Sequence, residues 1–340
     1  MVMQQMKPQF TGGRVTRSED ARLLSGQGRF LDDIQVPGML EMAFVRSDRA
    51  AAKIVSIDAG EAEKLPGVHA VVTAIDCPII LEDGDFKVKQ PVLAVDEVRY
   101  VGEPIAAVIA DNRYIAEDAM ELVQVTYEAL EPVTDIHQAL DESTRRVHAD
   151  RSNVLFHKEY STDGFDDAFN AAPHRLNETF TLHRQTGVPM ETRGLAAMTD
   201  PASGRLTVYA SHQNPHGLRE LLAQFLDMPL NQLRVIVPEV GGAFGIKAAL
   251  YPEYLVVAYM AKKLHKPLKW ISDRMESLMT DVHARDALHE VEFAFDDDGR
   301  MIALRDHMMA NAGAYAAVPF CGAIGETVMA SNMLTGPYRI

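Results

Sequence analysis

The stretch Val240-Gly241-Gly242-Ala243-Phe244-Gly245-Ile246-Lys247 is the part of this 340-residue chain best suited to hold a ligand. Glycines 241, 242 and 245 let the backbone turn tightly and approach a bound group without Cβ atoms intervening. Amides exposed on such a loop, with a helix start beyond it, form a concavity that attracts anionic or oxygen-rich groups. The pattern is not that of a nucleoside-triphosphate loop. Ile246 stands where glycine precedes the lysine, and Ala248 where a hydroxyl would reach magnesium. The spacing of a dinucleotide fingerprint fails as well. On its residues alone the loop reads equally as a structural turn or as a ligand cradle.

Other reactive side chains carry weaker signals. His212 and His216 flank Gln213 and resemble a metal pair, although a helix-start or pocket-lining role suits them better. His283, Arg285 and His289 lack the spacing of a helical zinc motif. Lys247 could meet a phosphate or be a solvated lysine at a helix start. The two cysteines, Cys77 and Cys321, belong to no C-x-x-C pair, so the chain has no ligand set for an iron–sulfur cluster, and each reads as a small buried hydrophobe.

The elements around the loop explain how these residues could meet. Arg205–Ser211 reads as a strand, and Asn214-Pro215 as an N-cap with proline in the first helical position. The helix should run to about Leu226 with Leu218, Leu221, Leu222 and Phe225 on one face. Leu233–Val237 is a second strand, then comes the glycine loop, then a helix from Pro252 to about Leu264. If the two strands are parallel, Gln213 and the loop leave adjacent carboxyl ends, where ligands gather in α/β sheets. Upstream, Pro104–Ala110 reads as a buried strand. Asp111 or Asn112 caps a helix through Leu122 with Ile115, Ala119 and Leu122 inward, and Val123–Tyr127 is another strand. Ala59–Leu65 reads as a helix, Asp141–Asn177 as a polar linker, Gly13–Asp33 as an extended arm, and Asp298-Gly299 as a hairpin turn.

Composition limits the partners. Apolar residues make up 47% and charged residues 24%, an ordinary globular balance. The net charge of −15 argues against nucleic acid, whose phosphates demand clustered Lys and Arg. No apolar run is long enough for a membrane span, and the first ten residues lack the order of a secretory signal, so the cytoplasm is the expected compartment.

Several segments together resemble the xanthine dehydrogenase/aldehyde oxidase family of molybdenum hydroxylases. They are GRVTRSEDARLLSGQGRFLDDIQVPGMLEMAFVRS, VRYVGEPIAAVIADNRYIAEDAMELVQVTYEAL, METRG, SHQNPHGLRELLAQ, GGAFGIK and TGPYRI. The resemblance implies a mixed α+β and α/β fold. An arm (1–35) would precede an α/β hammerhead domain (36–140), a wrapping segment (141–177) and the first part of the molybdopterin-binding domain (178–340). It implies that Gln213 stands by the apical oxygen ligand of molybdenum, and that Gly242, Ala243, Phe244 and Gly245 shape the cofactor wall, Phe244 through its backbone amide. Met190, Glu191 and Arg193 would make structural contacts, with Glu191 and Arg193 a possible ion pair. No catalytic residue is expected here, because the family's base glutamate belongs to a later part of the subunit. A naturally split subunit and a fragment are both open.

The implied reaction is hydroxylation of an aldehyde or N-heteroaromatic carbon with oxygen from water. The cofactor would be molybdenum-molybdopterin in its cytosine dinucleotide form. Electrons would pass to [2Fe–2S] and FAD on partner subunits, and the later molybdopterin-binding part would be a further partner. Purines are disfavoured: Ala248 stands where purine-oxidising members carry glutamate, and Met329 where they carry arginine. A non-catalytic assembly protein retaining the fold is the alternative.

Overall fold

The computed structural model describes residues 11–13, 15–83, 86–319 and 322–338. Its centre is a seven-stranded sheet. In spatial order the strands are Leu233–Ile236, Leu206–Ala210, Gly194–Thr199, Leu268–Ile271, Leu40–Arg46, Pro104–Ala110 and Val68–Val72. The middle strands are apolar because both faces are covered: Ile105 through Ala110 are fully buried. Helix Pro252–Leu264 packs on this sheet with apolar residues nearly all round, as a helix enclosed on every side requires. Its Tyr254 meets Trp270, which meets Phe44 edge-on at 5.4 Å.

The sheet is continuous across the expected boundary between hammerhead and later residues. Leu40 pairs with Leu268 and Glu41 with Lys269 in parallel, so an early strand depends on a partner more than two hundred residues away. A buried ionic knot reinforces the junction. Arg46, at the end of the early strand, lies 2.9 Å from Glu253 and donates to Glu276 at 2.8 Å. Arg193 lies 3.6 Å from Glu253, pairs with Asp281 and stacks over the Tyr251 ring at 3.6 Å. Burial is the largest influence on Arg193 and opposes its charge, but Glu253, Tyr251, Tyr254 and Asp281 together outweigh it and raise the pKa. Burial likewise opposes the Glu253 carboxylate, and Arg193 and Arg46 prevail, holding its pKa low.

The caps form as the sequence predicts. Asn112 accepts from the Ile115 amide and Asn214 from the Gly217 amide. The inward stripe of helix Arg113–Leu122 differs: Ala116 and Ala119 are buried while Leu122 is 40% exposed. Only small residues fit there, because the helix lies close to Leu40–Arg46 and Pro104–Ala110. Strand Gln124–Ala129 joins a separate three-stranded sheet with Ala52–Asp58 and Glu97–Val98. Ala59–Leu65 yields only a single 3₁₀ turn, Ala62–Lys64. The polar stretch 141–177 contains helix Phe165–Ala171, whose Phe169 packs on Ala294 and Ala303, and the start of strand His174–Leu182. The hairpin Ala287–Phe295 to Met301–Ala310 turns at Gly299. Cys77 is buried, and burial pushes its thiol up to about 12; Cys321 lies outside the described residues. Among the described residues no helix is long and apolar enough to cross a membrane.

Glu103 gives the fold a measurable pH dependence. It is 1% exposed, and burial pushes its carboxyl from 4.5 up to about 7, against bonds from the Arg99 amide and the Tyr315 hydroxyl. The folded state therefore holds this proton more tightly than the unfolded chain. The contribution is full below about pH 4.5 and is lost as pH rises through about 7, about 3 kcal/mol across the window. We expect Glu103→Gln to flatten the decline of urea-unfolding stability between pH 5 and 7.5; an unchanged slope would contradict the assignment.

Candidate cofactor-binding site

Strands Leu206–Ala210 and Leu233–Ile236 pair in parallel, Leu206 with Leu233 through Tyr209 with Ile236. Their carboxyl ends lie side by side, and the chain leaves them toward Gln213 and the glycine loop. A direct bond joins the two: the Gln213 amide donates to the Lys247 carbonyl at 2.9 Å. The Gln213 side chain is exposed beside the loop.

Within the loop, Gly242, Phe244 and Gly245 all have positive φ, at 95°, 49° and 94°. For Phe244 this left-handed conformation costs on the order of 1–2 kcal/mol, a strain that surrounding contacts must hold. A Cβ on Gly242 would lie 3.0 Å from the Phe244 ring and 3.1 Å from Pro189, while one on Gly241 would lie 2.6 Å from Glu191. A Cβ on Gly245 would enter open space. The amides of Gly242, Ala243, Phe244 and Gly245 have no partner among the described residues. The arrangement is a row of unpaired donors next to a neutral carboxamide, with the nearby carboxylate satisfied beneath the loop. Such a donor set suits an oxygen-rich, negatively charged group.

That carboxylate is Glu191. Its Oε2 accepts from the Gly241 amide at 2.8 Å, Ser211 Oγ at 2.6 Å and Lys247 Nζ at 3.0 Å. Lys247 Nζ also donates to Ser211 Oγ at 2.8 Å, and the Leu31 amide reaches Glu191 Oε1 at 3.4 Å. The Lys247 side chain is fully enclosed, and burial lowers its pKa against the pull of Glu191.

Several sequence expectations change here. Lys247 is not solvated but turns inward to the Glu191 carboxylate. Glu191 pairs with Lys247 and not with Arg193, whose side chain points into the Asp281 and Glu253 knot. The Phe244 ring is 75% exposed. His212 is buried and structural: its Nδ1 accepts from the Asn214 amide at 3.0 Å, and Nε2 faces the Ala249 carbonyl at 3.4 Å. Burial lowers its pKa, favouring the neutral ring that these partners need. His216 is exposed, and Met329 is 64% exposed on helix Gly322–Asn332. Sequence reasoning missed Ser211, whose only signal is its place at the end of a strand two residues before Gln213. It also missed the arm's role: Arg29 accepts from the Glu239 amide at 3.0 Å and Arg22 pairs with Glu239, just before the loop.

Comparison with known proteins fits this geometry. Residues 25–131 match the aldehyde oxidase and xanthine dehydrogenase a/b hammerhead domain, and residues 147–340 the molybdopterin cofactor-binding domain. The chain is 38% identical to the 6-hydroxypseudooxynicotine dehydrogenase complex subunit gamma of Paenarthrobacter nicotinovorans, over 97% of this chain and 43% of that one. It is 36% identical to the carbon monoxide dehydrogenase large chain of Afipia carboxidovorans, over 92% and 40%. The crystal structure of quinoline 2-oxidoreductase from Pseudomonas putida 86 superposes with a TM-score of 0.86 at 38% identity, covering 90% of this chain and 40% of that one. The chain thus spans about two fifths of the length of these relatives.

The loop backbone offers a direct test. Gly242→Ala combines a disfavoured φ with contacts on Phe244 and Pro189, and should cost about 1–2 kcal/mol of stability. Denaturant midpoints check this, and a Gly242→Ala protein as stable as the parent would show that the loop does not hold this conformation.

Proposed function

Because the chain belongs to the xanthine dehydrogenase/aldehyde oxidase family, with its hammerhead and molybdopterin-binding domains, we propose that it forms the opening part of the molybdopterin-binding subunit of a multi-subunit cytoplasmic hydroxylase. The observation that carries this reading is the backbone bond that holds Gln213 to Lys247, beside loop amides at 242–245 that have no partner among the described residues. Gln213 and the loop Gly242–Gly245 would hold the molybdenum-molybdopterin group, in its cytosine dinucleotide form. That group, when bound, supplies oxygen insertion from water and accepts the electrons.

The chain's own residues bind and orient. The Phe244 amide, on a strained backbone, and the Gln213 side chain would be the donors to that group. Donors held before binding act without reorganisation, which is the condition for strong electrostatic stabilisation. No side chain of this chain is assigned as the proton acceptor; that role falls to a glutamate of the remaining subunit, and electrons leave to [2Fe–2S] and FAD on partner subunits. The hammerhead is assigned to residues 36–140 and the opening of the molybdopterin-binding domain to 178–340.

The substrate we propose is an N-heteroaromatic compound or an aldehyde. Ala248 leaves no acidic group after the loop lysine to bind a purine, and quinoline 2-oxidoreductase and nicotine 6-hydroxylase of Paenarthrobacter nicotinovorans are among the relatives. The intact native assembly should contain molybdenum and pterin, and should oxidise quinoline-like or aldehyde substrates with incorporation of oxygen from ¹⁸O-labelled water. A complete assembly devoid of both would leave the non-catalytic scaffold reading instead, and activity on xanthine alone would overturn the substrate class.

A further inference from the structure

Both ends of the glycine loop are tied to one oxygen atom. Oε2 of Glu191 takes the Gly241 amide at the loop's start and the Lys247 ammonium at its end, and Ser211 Oγ from the neighbouring strand as well. Lys247 makes a second connection in the opposite sense, since its carbonyl receives the Gln213 amide. The two walls of the site therefore share a single buried pair. Resting on the function proposed above, we propose that Glu191 and Lys247 are a positioning couple that fixes Gln213 and the four unpaired loop amides at the spacing the molybdopterin group requires, so that cofactor retention depends on it.

The physical case turns on what happens when the ammonium is removed. Glu191 would then keep a negative charge with no counter-charge, in a site where Lys247 and Ser211 are fully enclosed. The Glu191 side chain is 17% exposed and has a route to water. Turning outward, it would abandon the Gly241 amide and Ser211 together. The Tyr251 hydroxyl still donates to the Ile246 carbonyl at 2.7 Å, so the far end of the loop remains tethered, while the near end keeps only the bond from the Glu191 amide to the Gly241 carbonyl at 3.1 Å. A loop with two glycines at positive φ and a strained phenylalanine then gains conformers that must be lost again on binding, which weakens retention.

The test uses the native assembly carrying Lys247→Met, Glu191→Gln, or both, with Val72→Ala as a comparator that loosens the core of the distant strand Val68–Val72. Two readouts are followed: release of bound pterin after dilution, and amide hydrogen exchange in the peptide 241–248. Lys247→Met should speed both by about tenfold at a melting temperature matched by Val72→Ala, which should change neither. The double variant should lose no more than Lys247→Met alone, because the two residues act through one interaction. Unchanged exchange in Lys247→Met, or an equal effect in Val72→Ala, would overturn the proposal. If the parent assembly holds no pterin but its loop exchange still rises on Lys247→Met, the cofactor reading fails while the couple stands.

Discussion

An ammonium taken out of water must find compensation, and beneath the glycine loop the compensation comes from one carboxylate. Lys247 could not be buried without the Glu191 carboxylate beside it, since an isolated buried charge costs far more than any single contact returns. Pairing them obliges the segments that carry them to converge. Glu191 sits just before strand Gly194–Thr199, Lys247 at the end of the loop, Ser211 at the end of the adjacent strand, and Leu31 in the arm. Four stretches distant in sequence are drawn to one point, and the surface above that point carries the unpaired amides. The charge pair thus serves the geometry over it more than it serves stability.

A second ionic knot does the same for the junction of the two family-matched regions. Arg46 comes from the early strand, while Glu253, Glu276 and Asp281 come from the later helices and their ends. Arg193, two residues beyond Glu191, belongs to this knot, so one short segment contributes a charge to each. In a regular strand, residues two apart would share a face. The chain at Glu191–Arg193 is irregular and still entering the strand, and the two side chains reach different partners.

Much of the fold was legible because it rests on local patterns. The parallel pair ending at Gln213 and the glycine loop followed from apolar runs bounded by Asn214-Pro215 and the glycines. Pro252–Leu264 followed from its length and its proline. The site residues were harder to read. Lys247 looks like a helix-start lysine because nothing nearby in the sequence is its partner; Glu191 lies 56 residues earlier. Glu191 and Arg193 look like a pair because they are neighbours, yet each is matched over a long range. Helix Phe165–Ala171 was hidden by its polar composition, since only Phe165 and Phe169 are called on to pack. In each case the deciding contact is non-local, and sequence spacing carries no trace of it.

The parallel pairing of Leu40 with Leu268 has a consequence for how this molecule is made. Strand Leu40–Arg46 lies inside the finished sheet, yet one of its edges stays unsatisfied until residues 268–271 have been synthesised. During translation the hammerhead residues can assemble on Pro104–Ala110 and Val68–Val72, but they present an open, apolar strand edge throughout the elongation from Ala110 to Leu268. Such an edge is a template for pairing with other chains. Until that pairing forms, closure of the sheet on its own later strand competes with pairing to another copy at the same edge.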